Sequence, residues 1–178
     1  MSNSAFERVV ISELQIEERI GELAAHISED YDQKQPLCLV GILKGAFIFL
    51  ADLSRRLTIP HAVDFMALSS YGKTSRSGAV RILMDLREPI DGAHVVLVED
   101  IIDSGNTLAY LYETLNGRGA ASLKTCVLLQ KEREQVDVPI DYLGFKIPDI
   151  WVVGYGLDYA ETYRTLPYIA ELKSSEYE

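Results

Sequence analysis

The stretch VVLVEDIIDSGNTL, residues 95–108, places two adjacent carboxylates directly after four apolar residues. We interpret the apolar run as a buried strand, residues 99–105 as a loop at its carboxyl end, and the Ser-Gly-Asn-Thr segment as the start of a helix. The N–H groups at a helix N-terminus form a ready phosphate site, and carboxylates beside them can bind sugar hydroxyls or a metal-bound ligand. The stretch therefore predicts a site for a phosphorylated sugar.

The segments around this stretch predict an α/β fold with a central parallel sheet flanked by helices, because strand-like and helix-like patterns alternate. The predicted helices are Ser12–Asp30, Phe47–Leu57 and Thr107–Asn116, and the predicted strands are Leu37–Leu43, His61–Leu68, Val80–Leu86, Val95–Val98, Thr125–Leu129, Tyr142–Phe145 and Ile150–Val153. Residues 61–86 would form a hairpin around a polar, mobile loop at residues 69–78.

Three polar features directly follow predicted strands: the turn at Lys44, the acidic loop at residues 99–105, and Lys131. Because ligands of parallel sheets bind at the carboxyl ends of the strands, we expect these features to share one rim. Each of them taken alone has an ordinary explanation as a solvated turn, a helix cap or a surface lysine. Their joint arrangement is what favours a binding site.

The composition limits the class of protein. The 178 residues include 17 Lys+Arg and 27 Asp+Glu, a net charge of −10, which disfavours nucleic acid and anionic membrane as main partners. The length predicts a single domain over residues 1–178. Cys38 and Cys126 lie in apolar runs and are expected to be free thiols in a reducing cytosol, and the first residues show no secretory pattern.

Residues 95–108 resemble the phosphoribosyl-diphosphate signature of the type I phosphoribosyltransferases: an apolar strand, two acids, two apolar residues, then Asp-Ser/Thr-Gly-x-Thr. Further segments narrow the resemblance to the hypoxanthine (hypoxanthine-guanine) phosphoribosyltransferases. In order along the chain they are LKGAF at 43–47, SSYG at 69–72, Lys131, and WVVGYGLDY at 151–159. The likeness extends from about residue 8 to about residue 170.

This resemblance implies the type I phosphoribosyltransferase fold, with a flexible hairpin loop and a small hood over the active site. The hood would be formed by parts of the N-terminal segment and of residues from about 132 to 178. The implied reaction is a magnesium-dependent transfer of the phosphoribosyl group from 5-phosphoribosyl 1-diphosphate (PRPP) to hypoxanthine, and to guanine as well. The products are IMP or GMP and pyrophosphate. The implied protein is a cytoplasmic purine salvage enzyme that acts on small molecules and forms a homodimer or homotetramer.

The resemblance also implies roles for the matching residues. Asp103 would act as a base on the purine, Lys131 would hydrogen-bond the 6-oxo group, and Trp151 would stack on the ring. The residues implied for PRPP and its ribose phosphate are Glu99, Asp100, Asp103, Ser104, Gly105, Asn106 and Thr107. Those implied for pyrophosphate are Lys44, Gly45, Ser70, Tyr71 and Arg164, with an unusual peptide geometry at the Lys44 turn. Those implied for the purine are Lys131, Trp151, Val152 and Asp158, and those for the metal are Glu99, Asp100 and Asp158.

Two alternatives stay open beside this interpretation. One is a xanthine-preferring enzyme, because Trp151 stands where phenylalanine is commoner and the segment after Lys131 is rich in acids. The other is a PRPP-sensing regulatory protein on the same fold, although the acidic charge and the intact Asp103 argue against it. Residues 67–74, ALSSYGKT, resemble a P-loop, but alanine replaces the first glycine and a strand-like run follows, which argues against an NTPase.

Overall fold

The helices and strands follow one another in the order that the sequence predicts, and further strands lie near both ends of the chain. The computed structural model describes residues 5–31, 36–70, 80–103, 105–132 and 138–177. The helices are α1 (Glu13–Asp30), α2 (Phe47–Arg56) and α3 (Asn106–Asn116). The strands are β1 (Phe6–Ile11), β2 (Leu37–Leu43), β3 (Ala62–Ser70), β4 (Val80–Met84), β5 (His94–Ile102), β6 (Ser122–Lys131), β7 (Tyr142–Ile147), β8 (Val152–Val153) and β9 (Ile169–Leu172).

Within the described residues, the central sheet has the strand order β4-β3-β2-β5-β6-β7. All neighbouring pairs in it are parallel except β3 and β4, which form an antiparallel hairpin. The predicted parallel sheet and the predicted hairpin are therefore both confirmed. The apolar strands are buried on both faces, under α1 and α2 on one side and under α3 on the other. This double cover explains why β2 and β5 read as continuous hydrophobic runs.

A second, smaller sheet joins distant parts of the chain. Among the described residues it has the order β1-β9-β8, with antiparallel pairing throughout. The sequence pattern predicts neither β1 nor β9, and β8 is shorter than the predicted strand at Ile150–Val153. The sheet matters for the site because β8 immediately follows Trp151, and the backbone N–H of Leu172 in β9 donates to the Trp151 carbonyl at 2.9 Å.

The structure corrects one boundary in the decisive stretch. Glu99 and Asp100 were expected in a loop, but β5 continues through them to Ile102. Pairing with β6 causes the extension, since Glu99 lies opposite Val127 and Ile102 lies opposite Gln130. The ladder to a neighbouring strand thus overrides the turn preference of the acidic residues. As a result, both carboxylates are held by a sheet strand rather than by a loop.

Two further expectations concern the environment of the chain. Cys38 and Cys126 are free cysteines, as expected, and burial raises the pKa of the Cys126 thiol. No helix in the described part of the chain is long and apolar enough to cross a membrane.

Candidate active site

A cavity of about 250 Å³ lies at the carboxyl rim of the central sheet, facing the segment around β8. Its lining residues are Asp100, Ile101, Asp103, Lys131, Trp151, Val152, Leu157 and Asp158. Six of these eight were singled out from the sequence; the exceptions are Ile101 and Leu157. Two of the three features predicted to share a rim, the acidic segment and Lys131, therefore line one cavity, and the segment at 151–158 supplies the rest of its lining.

A smaller cavity of about 100 Å³ adjoins the first one at the start of α3. Its described lining is Glu99, Ile101, Ile102, Asp103, Gly105, Thr107 and Leu108. Gly105 precedes α3 with φ = +76°, a left-handed conformation that suits glycine. Asp103 and Ile101 line both cavities, so Asp103 stands between a larger pocket and a niche at a helix N-terminus. Ser104 lies outside the described residues, and Asn106 is not part of the described lining.

The adjacent carboxylates Glu99 and Asp100 are poorly solvated. Burial raises the pKa of Glu99 well above its usual range, and the negative charge of Asp100 raises it further. Burial also raises the pKa of Asp100 to about 6, although backbone N–H donors and the Arg164 guanidinium oppose the shift. Within the described part of the chain, the buried Oε2 atom of Glu99 has no hydrogen-bond partner. Such an atom is a natural acceptor for a ligand hydroxyl or a metal-bound water.

The metal-free protein is expected to lose stability as the pH rises from about 4 to about 7. The pKa of Asp100 is 3.8 for an ordinary side chain and about 6 in the folded protein, so between these values the folded state binds more protons. The free energy of unfolding should therefore fall as the pH rises through this window, and the raised pKa of Glu99 acts in the same direction. Thermal unfolding in a chelator measures this slope. Asp100→Asn should flatten it, and an equal slope in the variant would contradict the assignment.

Lys131, at the end of β6, brings a buried cation to the cavity. Its Nζ lies 3.1 Å from Oδ1 of Asp149 and 3.7 Å from Oδ1 of Asp103, and its side chain is only 12% exposed. By comparison, the side chain of Asp103 is 55% exposed and that of Asp149 is 47% exposed. The ammonium group can therefore donate to a ligand in the pocket while two carboxylates orient it.

The turn after β2 packs tightly against the acidic pair. The Leu43–Lys44 peptide bond is cis, which agrees with the unusual geometry expected there. A Cβ added to Gly45 would lie 1.7 Å from Oδ2 of Asp100, and one added to Gly156 would lie 2.0 Å from the Gly45 carbonyl oxygen. Two glycines thus let the turn fit between the acidic strand end and the opposite wall.

Charged side chains surround this turn on the solvent side. Lys44 forms an exposed ion pair with Glu161, with an Nζ–Oε2 distance of 2.9 Å. Nη2 of Arg164 contacts Oδ1 of Asp158 at 2.8 Å, and its Nη1 donates to the Gly156 carbonyl at 2.7 Å. Nε of Arg164 is buried and has no hydrogen-bond partner among the described residues. Arg164 thus lies beside Asp158 and within 3.6 Å of Glu161, the partner of Lys44. The contacts of these residues with pyrophosphate and metal stay predictions.

The sequence did not indicate four residues of the site, and some predicted ones lie outside the described residues. Ile101 and Leu157 line the main cavity, Asp149 pairs with Lys131, and Glu161 pairs with Lys44. Strand alternation could have indicated Ile101, because it shares a face with Glu99, but no local pattern marks the other three. Tyr71 and most of the loop at residues 69–78 lie outside the described residues, as does the side chain of Ser70.

The donor set suits a hard divalent cation that is shared with a ligand. Asp100 and Asp158 line the same cavity, and the buried oxygen of Glu99 has no partner in the described structure. No group of three or more His, Cys, Asp or Glu residues in the described ranges could hold a metal ion by itself. This arrangement fits magnesium, which commonly takes one or two carboxylates and completes its shell with water and phosphate oxygens.

Comparison with known proteins agrees with this geometry. Residues 11–160 match the family model described as phosphoribosyl transferase domain. The hypoxanthine-guanine phosphoribosyltransferase of Dictyostelium discoideum is 51% identical in an alignment of 174 residues that covers 95% of this chain and 97% of the relative. The hypoxanthine phosphoribosyltransferase of Salmonella typhimurium is 52% identical over 167 residues, covering 92% and 94% of the two chains.

Solved structures give the same result. The hypoxanthine phosphoribosyltransferase of Staphylococcus aureus has a TM-score of 0.93 at 41% identity and covers 100% of both chains. That of Trypanosoma cruzi, described in connection with the role of its C-terminal region in oligomeric state and activity, has a TM-score of 0.93 at 42% identity. It covers 99% of this chain and 96% of its own. With a family model spanning most of its length and relatives matched nearly end to end, the chain belongs to the phosphoribosyltransferase family.

Proposed function

We propose that this protein is a purine salvage enzyme that transfers the phosphoribosyl group of PRPP to hypoxanthine, and also to guanine. The products are IMP or GMP and pyrophosphate. The observation that carries this proposal is the position of Asp103 between two adjoining cavities, with Lys131 beside it in the lining of the larger one. One cavity has the lining for a purine and the other has the helix N-terminus for a 5′-phosphate. Neither a xanthine-preferring enzyme nor a PRPP sensor is favoured, because the similar proteins are hypoxanthine or hypoxanthine-guanine enzymes.

The purine would lie in the larger cavity. Trp151 stacks on the ring, the backbone of Val152 reads its edge, and Lys131 donates to the 6-oxo oxygen. Asp103 accepts the proton of the ring nitrogen that attacks the sugar, which makes that nitrogen more nucleophilic. The distance of 3.7 Å between Lys131 and Asp103 supports this assignment, since it places the donor and the acceptor near one small heterocycle.

PRPP would span the niche and the turn. Residues 104–107 hold the 5′-phosphate with backbone N–H groups and hydroxyls, while Glu99 and Asp100 bind the ribose hydroxyls. Lys44, Gly45 and Arg164 contact the pyrophosphate, with Ser70 and Tyr71 closing over it. Magnesium, held by Asp100, Asp158 and Glu99 either directly or through water, would neutralise charge on the leaving pyrophosphate. The carboxylates beside the ribose also favour the positive charge that builds on the sugar as its bond to pyrophosphate breaks.

A pyrophosphate-release assay tests the function. The protein is supplied with PRPP, magnesium and one base at a time: hypoxanthine, guanine, xanthine, adenine, orotate or uracil. We expect release with hypoxanthine and guanine, and loss of the signal when a chelator removes the metal. Pyrophosphate release without any base, or only with a pyrimidine, would reject the proposal. A preference for xanthine would show the same reaction with a different purine substrate.

Lys131→Gln is expected to relax the selection of 6-oxopurines. The ammonium donates to an oxo group and repels the amino group of adenine, whereas an amide can both donate and accept. The ratio of kcat/KM for hypoxanthine over adenine should fall by about 10- to 100-fold, the worth of one charged hydrogen bond. Lys146→Gln, an exposed lysine on β7, is the charge-matched control. Unchanged ratios in Lys131→Gln would reject the role of Lys131.

Two properties of the working enzyme are also proposals. We infer a cytoplasmic location, which the two free cysteines support because thiols persist in a reducing compartment. We infer a homodimer or homotetramer from the family resemblance, and sedimentation of the purified protein measures which of the two forms.

A further inference from the structure

The aromatic ring of Trp151 contacts a tyrosine that has no role in the proposed reaction. Tyr177 stacks on it, with ring centroids 5.1 Å apart and planes inclined by 24°. Tyr159 meets the same indole edge-on, with centroids 5.8 Å apart at 86°. Both contacts have the geometry that aromatic pairs prefer. Together they fix the plane of a side chain that is itself 44% exposed.

The backbone holds Tyr177 in this position. It follows a short 3-10 turn at Ser174–Glu176, and its N–H donates to the Ser174 carbonyl at 3.2 Å. The turn continues from β9, whose Leu172 donates to the carbonyl of Trp151 itself, and the N–H of Lys173 donates to Ala5 at 3.1 Å. The two aromatic residues are therefore carried by segments that hydrogen-bond directly to each other.

Tyr177 stacks on one face of the indole and is not among the residues that line the larger cavity. Trp151 and Ile101 both line the larger cavity. Tyr177 is among the described residues but does not line it. An indole has two faces, and one of them is taken by the Tyr177 ring. A flat ligand that stacks on Trp151 would therefore use the other face.

We propose that Tyr177 is a positioning residue for the purine, acting through Trp151 in a three-layer stack of base, indole and phenol. This inference rests on the proposed function. The stack orients the indole before the base arrives, so less side-chain freedom is lost on binding. Because the contribution comes from the ring, the hydroxyl of Tyr177 is dispensable. Tyr177 therefore affects the affinity for the purine and its nucleotide but not the affinity for PRPP.

Three variants of the full chain test this role: Tyr177→Ala, Tyr177→Leu and Tyr177→Phe. Trp151 is the one tryptophan of the sequence, so its fluorescence reports on the stack directly. Titration with IMP, followed by this fluorescence, gives a dissociation constant without turnover. We expect that constant, and the KM for hypoxanthine, to rise about 3- to 10-fold in the Ala and Leu variants and to stay unchanged in the Phe variant. The KM for PRPP should stay constant in all three.

The possible outcomes are distinct. Wild-type IMP binding by Tyr177→Ala would overturn the inference, and tighter binding would show instead that the tyrosine ring occupies the place of the base. A rise in the KM for PRPP equal to that for hypoxanthine would indicate general damage to the fold and would also overturn it. Absence of turnover by the wild-type protein with every base would reject the proposed function, and this inference with it.

Discussion

Replacing Asp103 with asparagine is expected to lower kcat by about 10²- to 10⁴-fold while leaving the affinity for PRPP nearly unchanged. The amide has the size and shape of the carboxylate but cannot take up the proton of the attacking nitrogen. Asp103 also lies at the junction of the two cavities, where the sugar and the base would meet. Steady-state kinetics at saturating hypoxanthine give kcat, and direct titration gives the affinity for PRPP.

Asp149→Asn is the matched control for this prediction. Asp149 contacts the same lysine as Asp103, at 3.1 Å from the Lys131 Nζ, so its replacement removes a similar charge from the same ammonium group. It should raise the KM for the purine a few-fold and change kcat little, since it does not line either cavity. Equal losses of kcat in the two variants would assign the effect to Lys131 rather than to proton transfer by Asp103.

Gly45→Ala is expected to reduce kcat/KM by about 100-fold or more, because it misplaces two parts of the site together. The added methyl group would lie 1.7 Å from Oδ2 and 2.3 Å from Cγ of Asp100, so the buried carboxylate or the turn must move. The turn cannot simply withdraw, because the Gly45 carbonyl already packs against Gly156 on its other side. Kinetics with varied PRPP should show both a higher KM and a lower kcat.

Gly21→Ala provides the control for the added methyl group. Gly21 lies in α1, and apart from the adjacent backbone of the helix no heavy atom lies within 4 Å of a Cβ placed there. Alanine at this position should leave activity unchanged and raise the free energy of unfolding by about 0.5–1 kcal/mol, since it restricts the unfolded chain and favours the helix. Normal activity of Gly45→Ala would contradict the tight packing of the turn against Asp100.

The parts of the fold that local sequence predicts are those whose pattern reflects their burial. β2 was predicted with its observed bounds, Leu37–Leu43, because a strand covered on both faces is uniformly apolar. α3 begins one residue before its predicted start, and the hairpin of β3 and β4 is present. The grouping of the acidic pair with Lys131 at one rim follows from parallel strand direction, so it too could be predicted without coordinates.

The parts that local sequence does not predict depend on distant partners. β1 is half-exposed, with Val9 53% exposed, and it is a strand because β9 pairs with it. The extension of β5 through Glu99 and Asp100 is likewise decided by β6. The ion pair between Lys44 and Glu161 joins residues 117 positions apart, and nothing near either residue indicates it. The roles of the site residues were suggested by family resemblance, and they stay predictions until the variants above are measured.

The small sheet sets the order in which the protein can be completed on the ribosome. β1 is made well before its partner β9, because Arg8 and Glu171, which pair through their side chains, are 163 positions apart. The nascent chain therefore carries β1 without its partner while the residues between them are made, a state that invites association with other chains. The segment of Trp151 gains its hydrogen bond from Leu172 only after β9 is made, whereas all strands of the central sheet precede β9 in the chain. The central sheet can therefore fold before the site is able to bind a nucleobase.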